Sequence, residues 1–323
     1  AAVVLLATSA CSRGGVSAWP ASTSTSGATS SLPAPSTTAT STTTGPPAEQ
    51  VPSTLGPSGF ACCLDVSCET NTGAGAAYLQ TNVVGGTYGF RVVGPAGEVV
   101  ASLNPEEPFY PASSVKVLLH LHAVRWVATQ PDRAAALATA IPVCDNSCTG
   151  GGNCWAEPLS AVLTAMMVES DNRRANAVLD HFGMAAVEQT IHEVVGATDT
   201  RLVHRFGCGG PANDPANRST ALDLSRVFER AAREDVLDAD AFATFTGLML
   251  GPLWLSLTSA VADEGAAASL APEEVEAFRS GIQLSYKAGW WETNLSIGGL
   301  LTLPAGPCGG DTTRQYAFAV FVS

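Results

Sequence analysis

The chain has 323 residues, with 16 basic and 29 acidic side chains and a formal net charge of −13. A polyanion without a basic run has no electrostatic surface for nucleic acid, so we expect no nucleic-acid partner. No apolar run reaches the roughly eighteen residues that a membrane-spanning helix needs. The length indicates one or two domains.

The first residues read AAVVLLATSAC, a short apolar run that ends in small residues and Cys11. Such a run is typical of the end of an export signal. The small residues before Cys11 resemble a bacterial lipobox, in which the cysteine becomes the lipidated N-terminus; an ordinary signal peptide that contains a cysteine is the alternative. We interpret residues 1–11 as a signal-peptide remnant. We therefore expect an exported, extracytoplasmic protein whose contact with the bacterial cell membrane is a lipid anchor on Cys11.

Residues 12–58 consist mainly of Ser, Thr, Pro, Gly and Ala. This composition cannot bury enough apolar surface to fold, and it predicts a disordered tether. Residues 59–323 then have the right length for one compact domain.

Eight cysteines follow Cys11, an even number that can pair completely in an oxidising compartment. The possible pairings number about a hundred, so the connectivity stays open. A zinc site is the alternative, but the closely spaced group at 144, 148 and 154 lacks C-x-x-C or Cys/His spacing. We expect disulfides and no metal at the positions that follow: Cys62, Cys63, Cys68, Cys144, Cys148, Cys154, Cys208 and Cys308.

The folded part favours strands at both of its ends and helices between them. Alternating β-rich runs predict strands, and apolar residues at helical spacing, with Gly or Pro at the boundaries, predict helices. Since the first and last segments are both β, we expect an α+β fold, in which one antiparallel sheet is flanked by helices and an all-helical subdomain. The predicted strands are 87–94, 97–103, 282–289, 293–303 and 314–323, and the predicted helices are 111–129, 158–170, 173–183, 184–196, 219–234 and 272–281.

The chain contains only two lysines, Lys116 and Lys287, because the other fourteen of its sixteen basic residues are arginines. Lysine can give up its proton when it is buried, whereas arginine cannot. Ser113 and Lys116 have i, i+3 spacing on the predicted helix 111–129, so their side chains share a face. A neutral lysine there can take the serine proton and make Ser113 a nucleophile.

Two further motifs accompany this pair: Ser170-Asp171-Asn172 between two predicted helices, and Lys287-Ala288-Gly289 at the end of a predicted strand. The order Ser-x-x-Lys, Ser-Asp-Asn, Lys-Thr-Gly is that of class A β-lactamases and penicillin-binding proteins. Over residues 78–323 the chain resembles a class A β-lactamase-like serine hydrolase. The resemblance implies the β-lactamase/transpeptidase-like fold and a serine acyl-enzyme.

The resemblance also implies roles for three catalytic side chains. Ser113 is the nucleophile that becomes acylated, and Lys116 is its base. Ser170 relays a proton to the departing nitrogen. Asp171, which lies between Ser170 and Asn172 in the second motif, is expected to be structural and to bind nearby backbone groups.

For substrate binding, the resemblance implies that Asn172 offers its amide to the substrate and helps to position the catalytic lysine. Lys287 attracts the substrate carboxylate and holds the hydroxyl of Ser170. Gly289 is also expected to be a substrate-binding residue. The backbone N–H groups of Trp290 and Ser113 form the oxyanion hole. No cofactor is implied.

The sequence departs from the family in three places. Ala288 replaces a Thr or Ser whose hydroxyl binds the substrate carboxylate. The loop at 201–224 lacks the hydrolytic glutamate, and its only carboxylates are Asp214, which we interpret as a loop brace, and Asp223, which we assign to a helix start. His204 lies in the same loop and could approach the site, but we favour the alternative of a solvated or hydrogen-bonded histidine there. Class A domains end with a helix packed on the sheet, whereas the sequence given ends at Ser323 in a predicted strand; we expect either that this helix is absent or that the sequence is a fragment.

We therefore expect a monomeric serine hydrolase that acts on a small-molecule or peptide substrate, a β-lactam or a cell-wall-peptide-like amide. A DD-peptidase or esterase on the same scaffold is one alternative. A non-hydrolytic penicillin-binding or cell-wall-binding lipoprotein is another. The missing glutamate favours these alternatives over an efficient β-lactamase, whereas the full Ser–Lys–Ser–Asn–Lys set favours an enzyme.

Overall fold

The computed structural model describes residues 68–83, 85–146, 148, 151–209, 215–251, 271–305 and 313–323. The predicted signal remnant with Cys11 and the predicted tether lie outside these residues and stay predictions. The same holds for Asp214. Within the described part of the chain, no helix is both long and apolar enough to cross a membrane.

The centre of the fold is a five-stranded antiparallel sheet in the order β2-β1-β7-β6-β5. The first strand pairs with the last, with Phe90 opposite Val320, so the two ends of the domain meet in one sheet as predicted. A separate two-stranded hairpin forms from β3 and β4. The strands are β1 Tyr88–Val93, β2 Val99–Leu103, β3 Ala140–Asn146, β4 Gly151–Pro158, β5 Gln283–Trp291, β6 Asn294–Leu303 and β7 Arg314–Val322.

Helices cover both faces of the sheet and form a layer beside it. The predicted helix 184–196 is present as α6 followed by a π-helix, Thr190–Val195, which ends at Gly196 with φ 74°. The helices are α1 Cys68–Asn82, α2 Lys116–Ala128, α3 Arg133–Leu137, α4 Leu159–Val168, α5 Asn172–Phe182, α6 Met184–Gln189, α7 Ala221–Ala232, α8 Ala239–Gly247 and α9 Pro272–Gly281. This arrangement confirms the α+β fold class predicted from the sequence.

Two apolar cores lie on opposite faces of the sheet. Along β7 the side chains alternate between them, since Phe318 and Val320 belong to one core and Ala319 and Phe321 to the other. This alternation follows from the period of two along a strand. Leu79 of α1 packs in the first of these cores, whereas α2 and its helical neighbours enclose the second.

Four elements were not predicted: α1, α3, α8 and the β3–β4 hairpin. The sequence of α1, CETNTGAGAAYLQTN, has no apolar face at helical spacing, and the helix buries mainly Leu79. The strands of the hairpin contain Pro142 and two glycines, which weaken a strand pattern. A disulfide between Cys144 and Cys154, directly opposite each other in the register, links the two strands of this hairpin.

A second disulfide joins Cys148, between β3 and β4, to Cys208 in the loop that precedes α7. Four of the eight cysteines expected to pair are therefore in disulfides. The described residues contain no group of three or more His, Cys, Asp or Glu side chains that could hold a metal ion. The cysteines at 62, 63 and 308, and the side chain of Cys68, lie outside what the structure describes.

We predict that the two disulfides contribute unequally to stability. The cysteines of the Cys148–Cys208 bridge are 60 residues apart, and those of Cys144–Cys154 are 10 apart. Loop-closure entropy gives about 4 kcal/mol for the first bridge and about 3 kcal/mol for the second. Denaturant unfolding of the two double-serine variants should show the larger loss of unfolding free energy for C148S/C208S. A larger loss for C144S/C154S would contradict this.

Candidate active site

Ser113 lies on a tight turn that leads into α2. The α-helix begins at Lys116, not at Pro111 as predicted, but the Lys116 N–H donates to Ser113 O at 3.2 Å, an i, i+3 bond that continues the turn. Ala112 has φ 48°, a left-handed conformation that costs energy for a residue with a Cβ. The turn therefore holds a strained backbone just before the serine, whose side chain is half-buried.

Strand β6 braces this turn through a buried serine. Ser296 Oγ donates to Pro111 O at 2.6 Å and lies 2.9 Å from Ser114 Oγ, which in turn donates to Pro111 O at 2.8 Å. Ser114 and Ser296 are both buried. No sequence pattern indicated Ser296, because its contact with the turn depends on the register of β5 and β6, in which it lies opposite Gly289.

Gly289 lets strand β5 run directly against the nucleophile turn. A Cβ at this position would lie 2.5 Å from Pro111 O, 2.6 Å from Ser114 N and 2.7 Å from Ser113 N. All three atoms are backbone and cannot swing away. The glycine of the Lys-Ala-Gly motif thus sets the separation between the serine and β5, and Trp290 follows it directly in the strand.

The amine of Lys116 is the point where the first two motifs meet. Its Nζ donates to Ser170 O at 2.6 Å, to Asn172 Oδ1 at 2.6 Å and to Ser170 Oγ at 3.4 Å. Within the described residues, no hydrogen bond joins the side chain of Lys116 to that of Ser113, its predicted partner. Asn172 thus holds the amine of Lys116 through its side-chain oxygen, and its role toward a substrate stays a prediction.

Burial and, to a smaller extent, the positive charge of Lys287 together lower the pKa of Lys116 to about 7, while the negative charge of Asp171 opposes the change. The side chain is fully buried. Asp171 does not form an ion pair with it, because this carboxylate caps α5 by accepting from Arg174 N and pairs with the arginines of α5. The structural role expected for Asp171 is confirmed.

Ser170 and Asn172 reach Lys116 from the junction of α4 and α5. Ser170 has φ 59°, and in this conformation both its carbonyl oxygen and its hydroxyl lie within hydrogen-bond distance of the amine. Asn172, the first residue of α5, is exposed, so its amide group can also meet a ligand.

Lys287 lies on β5 and is 4% exposed, and burial lowers its pKa to about 8. Its Nζ donates to Ala288 O at 2.7 Å. The hydrogen bond that the resemblance implied between Lys287 and Ser170 is not formed in the described part of the chain, because the amine turns to this carbonyl. Trp290 is 67% exposed, and its Nε1 donates to Glu292 O at 2.7 Å in the β5–β6 turn.

The loop before α7 places an aromatic ring beside the lysine. The ring centroid of Phe206 is 5.2 Å from Lys116 Nζ, and Phe206 is buried. The adjacent Gly207 has φ 72°, and a Cβ there would lie 2.8 Å from Asn172 Nδ2. Sequence reasoning missed both residues; the only available signal was the glycine-rich run FGCGG.

Two ionisable groups that the sequence places in this loop, His204 and Asp223, make contacts away from Lys116. His204 Nε2 lies 2.5 Å from Pro215 O. Asp223 lies at the start of α7, as predicted, and its Oδ2 accepts from Asp199 N at 2.8 Å and Thr200 Oγ1 at 2.9 Å. Burial raises the pKa of Asp223.

We predict that Gly289→Ala disrupts the site. The added methyl would push β5 away from the backbone of Ser113 and Ser114, and overpacking of this kind costs about 1–3 kcal/mol. Denaturant unfolding and labelling of Ser113 with a serine-directed phosphonate should both be impaired. Gly247→Ala is the matched control, because nothing lies within 4 Å of its new Cβ. Equal effects at the two positions would contradict the close approach.

Residues 76–306 match the model of the β-lactamase enzyme family. No curated protein matches the chain. Among solved structures, the β-lactamase from Sphaerobacter thermophilus is 19% identical, with a TM-score of 0.59 over 79% of this chain and 88% of that one. The structure of PBP-A is 18% identical, with a TM-score of 0.58 over 79% and 87%. A class A β-lactamase from Bacteroides cellulosilyticus is 16% identical, with a TM-score of 0.58 over 80% and 90%. These structures share the fold, and the match over residues 76–306 shows that the chain belongs to the β-lactamase enzyme family.

Proposed function

We propose that the protein is a serine acyl-enzyme hydrolase that acts through Ser113 on β-lactams or cell-wall-peptide-like amides. One observation carries the proposal: Lys116 Nζ is buried beside a second positive charge, Lys287, and its pKa falls to about 7. Near neutral pH a large share of this lysine is uncharged. An uncharged amine close to a serine is the base that acyl transfer requires.

In the acylation step, Lys116 Nζ takes the proton of Ser113 Oγ while the oxygen forms a bond to the substrate carbonyl carbon. The charge that develops on the carbonyl oxygen is stabilised by the N–H groups of Ser113 and Trp290. When the C–N bond breaks, the proton passes from Lys116 through Ser170 Oγ to the departing nitrogen. The 3.4 Å contact between these two side chains supports this relay.

Substrate binding would use the groups that border the serine. Asn172 would donate its amide N–H to a substrate carbonyl while its Oδ1 holds Lys116. Lys287 would attract a carboxylate. Ala288, which is exposed, offers no hydroxyl to that carboxylate. We therefore propose weaker binding of penicillins than a Thr or Ser at this position would allow.

Deacylation is the step for which the chain is poorly equipped. The loop sequence at 201–224 contains no glutamate, and the ring of Phe206 lies 5.2 Å from Lys116 Nζ. After acylation the lysine must lose a proton before it can activate water. This observation favours a second candidate, a penicillin-binding lipoprotein that is acylated and not readily hydrolysed. A DD-peptidase or esterase would use the same nucleophile.

We further propose that the protein works outside the cytoplasm as a monomer, anchored by a lipid on Cys11. Disulfides persist in oxidising compartments, and the bridges Cys144–Cys154 and Cys148–Cys208 favour this location. Peptide and β-lactam substrates of the cell envelope would be accessible there.

We predict that a penicillin acylates Ser113 and that the adduct persists for minutes or longer. A placed base typically contributes about 10²–10⁴-fold to proton transfer, so the missing glutamate should slow deacylation more than acylation. Intact-protein mass spectrometry after mixing should show the adduct, while a chromogenic cephalosporin is hydrolysed weakly. The variant Ser113→Ala provides the baseline, with no adduct.

Rapid multiple turnover without an adduct would contradict slow deacylation and would point to Asp214, His204 or another base. An adduct with a simple acyl ester but none with penicillin would support the esterase alternative. No adduct with either compound would contradict the proposed function.

We predict a bell-shaped pH dependence for acylation by a carboxylate-bearing β-lactam. Lys116 must be neutral, so the rate should fall as the pH drops below about 7. Lys287 must be charged, so the rate should fall as the pH rises above about 8. A neutral ester has no carboxylate to bind and should show only the acidic limb.

Arginine variants at the two positions distinguish these roles. Lys116→Arg should abolish acylation, because a guanidinium cannot act as a base. Lys287→Arg should retain part of the activity and lose the alkaline limb, because the guanidinium keeps its charge. Pre-steady-state acylation rates across the pH range provide the measurement. Equal losses at both positions would show that the assigned roles are wrong.

A further inference from the structure

The segment around Phe206 packs against the two polar groups that govern the nucleophile. Its ring faces Lys116 Nζ at 5.2 Å, and Gly207 lies against the amide of Asn172. Phe206 is only 5% exposed. One wall of the pocket around the amine is therefore an aromatic ring.

Helix α5 holds this segment through a second asparagine. Asn176 lies one turn after Asn172, so the two side chains project from the same face of the helix. Asn176 Oδ1 accepts from Phe206 N, and its Nδ2 donates to Phe206 O, both at 2.9 Å. Asn176 is fully buried. One helix thus fixes the lysine with its first asparagine and the backbone of the phenylalanine with its second.

A disulfide closes the arrangement on the other side. Cys208, two residues after Phe206, is bonded to Cys148 between β3 and β4. The hairpin is itself attached to α5, because Arg174 Nε and Nη2 donate to the two oxygens of Glu157 at 2.8 and 2.7 Å. Helix, hairpin, disulfide and loop form a closed ring of contacts around the phenylalanine.

We propose that Phe206 is a positioning residue for Lys116: clamped by Asn176 and by the Cys148–Cys208 disulfide, its ring shields the amine from water and keeps it poised as the base for Ser113. The catalytic role of Phe206 in this inference rests on the proposed function. The shielding of the amine from water does not, and it can be measured without any substrate.

The direction in which Phe206 shifts the pKa of Lys116 follows from the groups around the amine. Within the described residues, two charged groups act on Lys116: Lys287 from β5 lowers its pKa, and Asp171 from the start of α5 raises it. Burial, which lowers the pKa, has a larger effect than either charge. A ring can also attract an ammonium ion, within about 6 Å of its centroid. At 5.2 Å this attraction is close to its limit. Exclusion of water therefore dominates, and the ring favours the neutral amine.

The composition of the chain makes a direct measurement possible. Because Lys116 and Lys287 are the only lysines, protein labelled with [¹³Cε]lysine gives two side-chain NMR signals, which Lys287→Arg assigns. Titration of these signals reports the pKa of each lysine. We expect Phe206→Ala to raise the pKa of Lys116 by about one unit or more, since water then reaches the amine.

Phe206→Leu is the conservative control. It keeps an apolar cover but removes the aromatic face, so the pKa of Lys116 should stay close to that of the unmodified protein. An unchanged or lowered pKa in Phe206→Ala would overturn the proposal; a lowered value would show that attraction between the ring and the ammonium dominates.

Removing the Cys148–Cys208 disulfide provides an independent test, which remains informative if Phe206→Ala fails to fold. Opening Cys148–Cys208 with the double variant C148S/C208S should raise the pKa of Lys116 in the same direction. C144S/C154S, in the same hairpin, is the matched control and should leave this pKa unchanged. Equal shifts in both variants would indicate general loosening and would overturn the role of the clamp.

The outcome is separable from that of the proposed function. If penicillin and ester leave the unmodified protein without an adduct, the proposed function fails, whereas the titration still decides whether Phe206 shields Lys116. If the adduct forms and the titration shows no shift in either arm, only the role of Phe206 is refuted.

Discussion

The candidate site depends on one physical constraint, the burial of the Lys116 amine without a carboxylate partner. An isolated ammonium is costly to bury, and a protein usually pairs it with an acid or lets it lose its proton. Here its acceptors are a carbonyl, a hydroxyl and an amide oxygen, on Ser170 and Asn172. Asp171, the carboxylate whose charge acts on this amine, caps the N-terminus of α5 instead. The polar pocket holds the amine in place while its surroundings weaken its hold on the proton.

Two residues of the candidate site have strained backbone. Ala112 and Ser170 both have positive φ, one directly before Ser113 and the other at the α4–α5 junction. Such conformations persist only where the surroundings fix them. The bonds from Ser296 to the turn, and the contact of Gly289 with its backbone, are those surroundings. The sheet therefore fixes the turn that carries Ser113, in addition to forming the core.

The sequence predicted those parts of the molecule that repeat a local pattern or use a rare residue. Strands at both ends and most of the longer helices followed from periodicity, and the two lysines, rare in a chain rich in arginine, indicated the site. The missed features depend on contacts between distant segments. Phe206 lies 90 positions from Lys116, and nothing in its local sequence distinguishes it from a core phenylalanine. The partner of Cys148 was equally inaccessible, because pairing depends on how the hairpin packs on α5.

The loop that carries Phe206 bears on both steps of the proposed catalytic cycle, acylation and deacylation. Acylation benefits when water is kept from Lys116, because a shielded amine is neutral and ready to accept the serine proton. Hydrolysis of an acyl-enzyme requires the opposite, a water molecule beside the ester and a base to activate it. In the mechanism that we propose, the aromatic ring of this loop, fixed by an asparagine and a disulfide, meets the first requirement at the expense of the second. A carboxylate at the position of the ring would bring in water and would pair with the lysine, raising its pKa. The shielding that supports the base in the first step therefore opposes rapid release in the second.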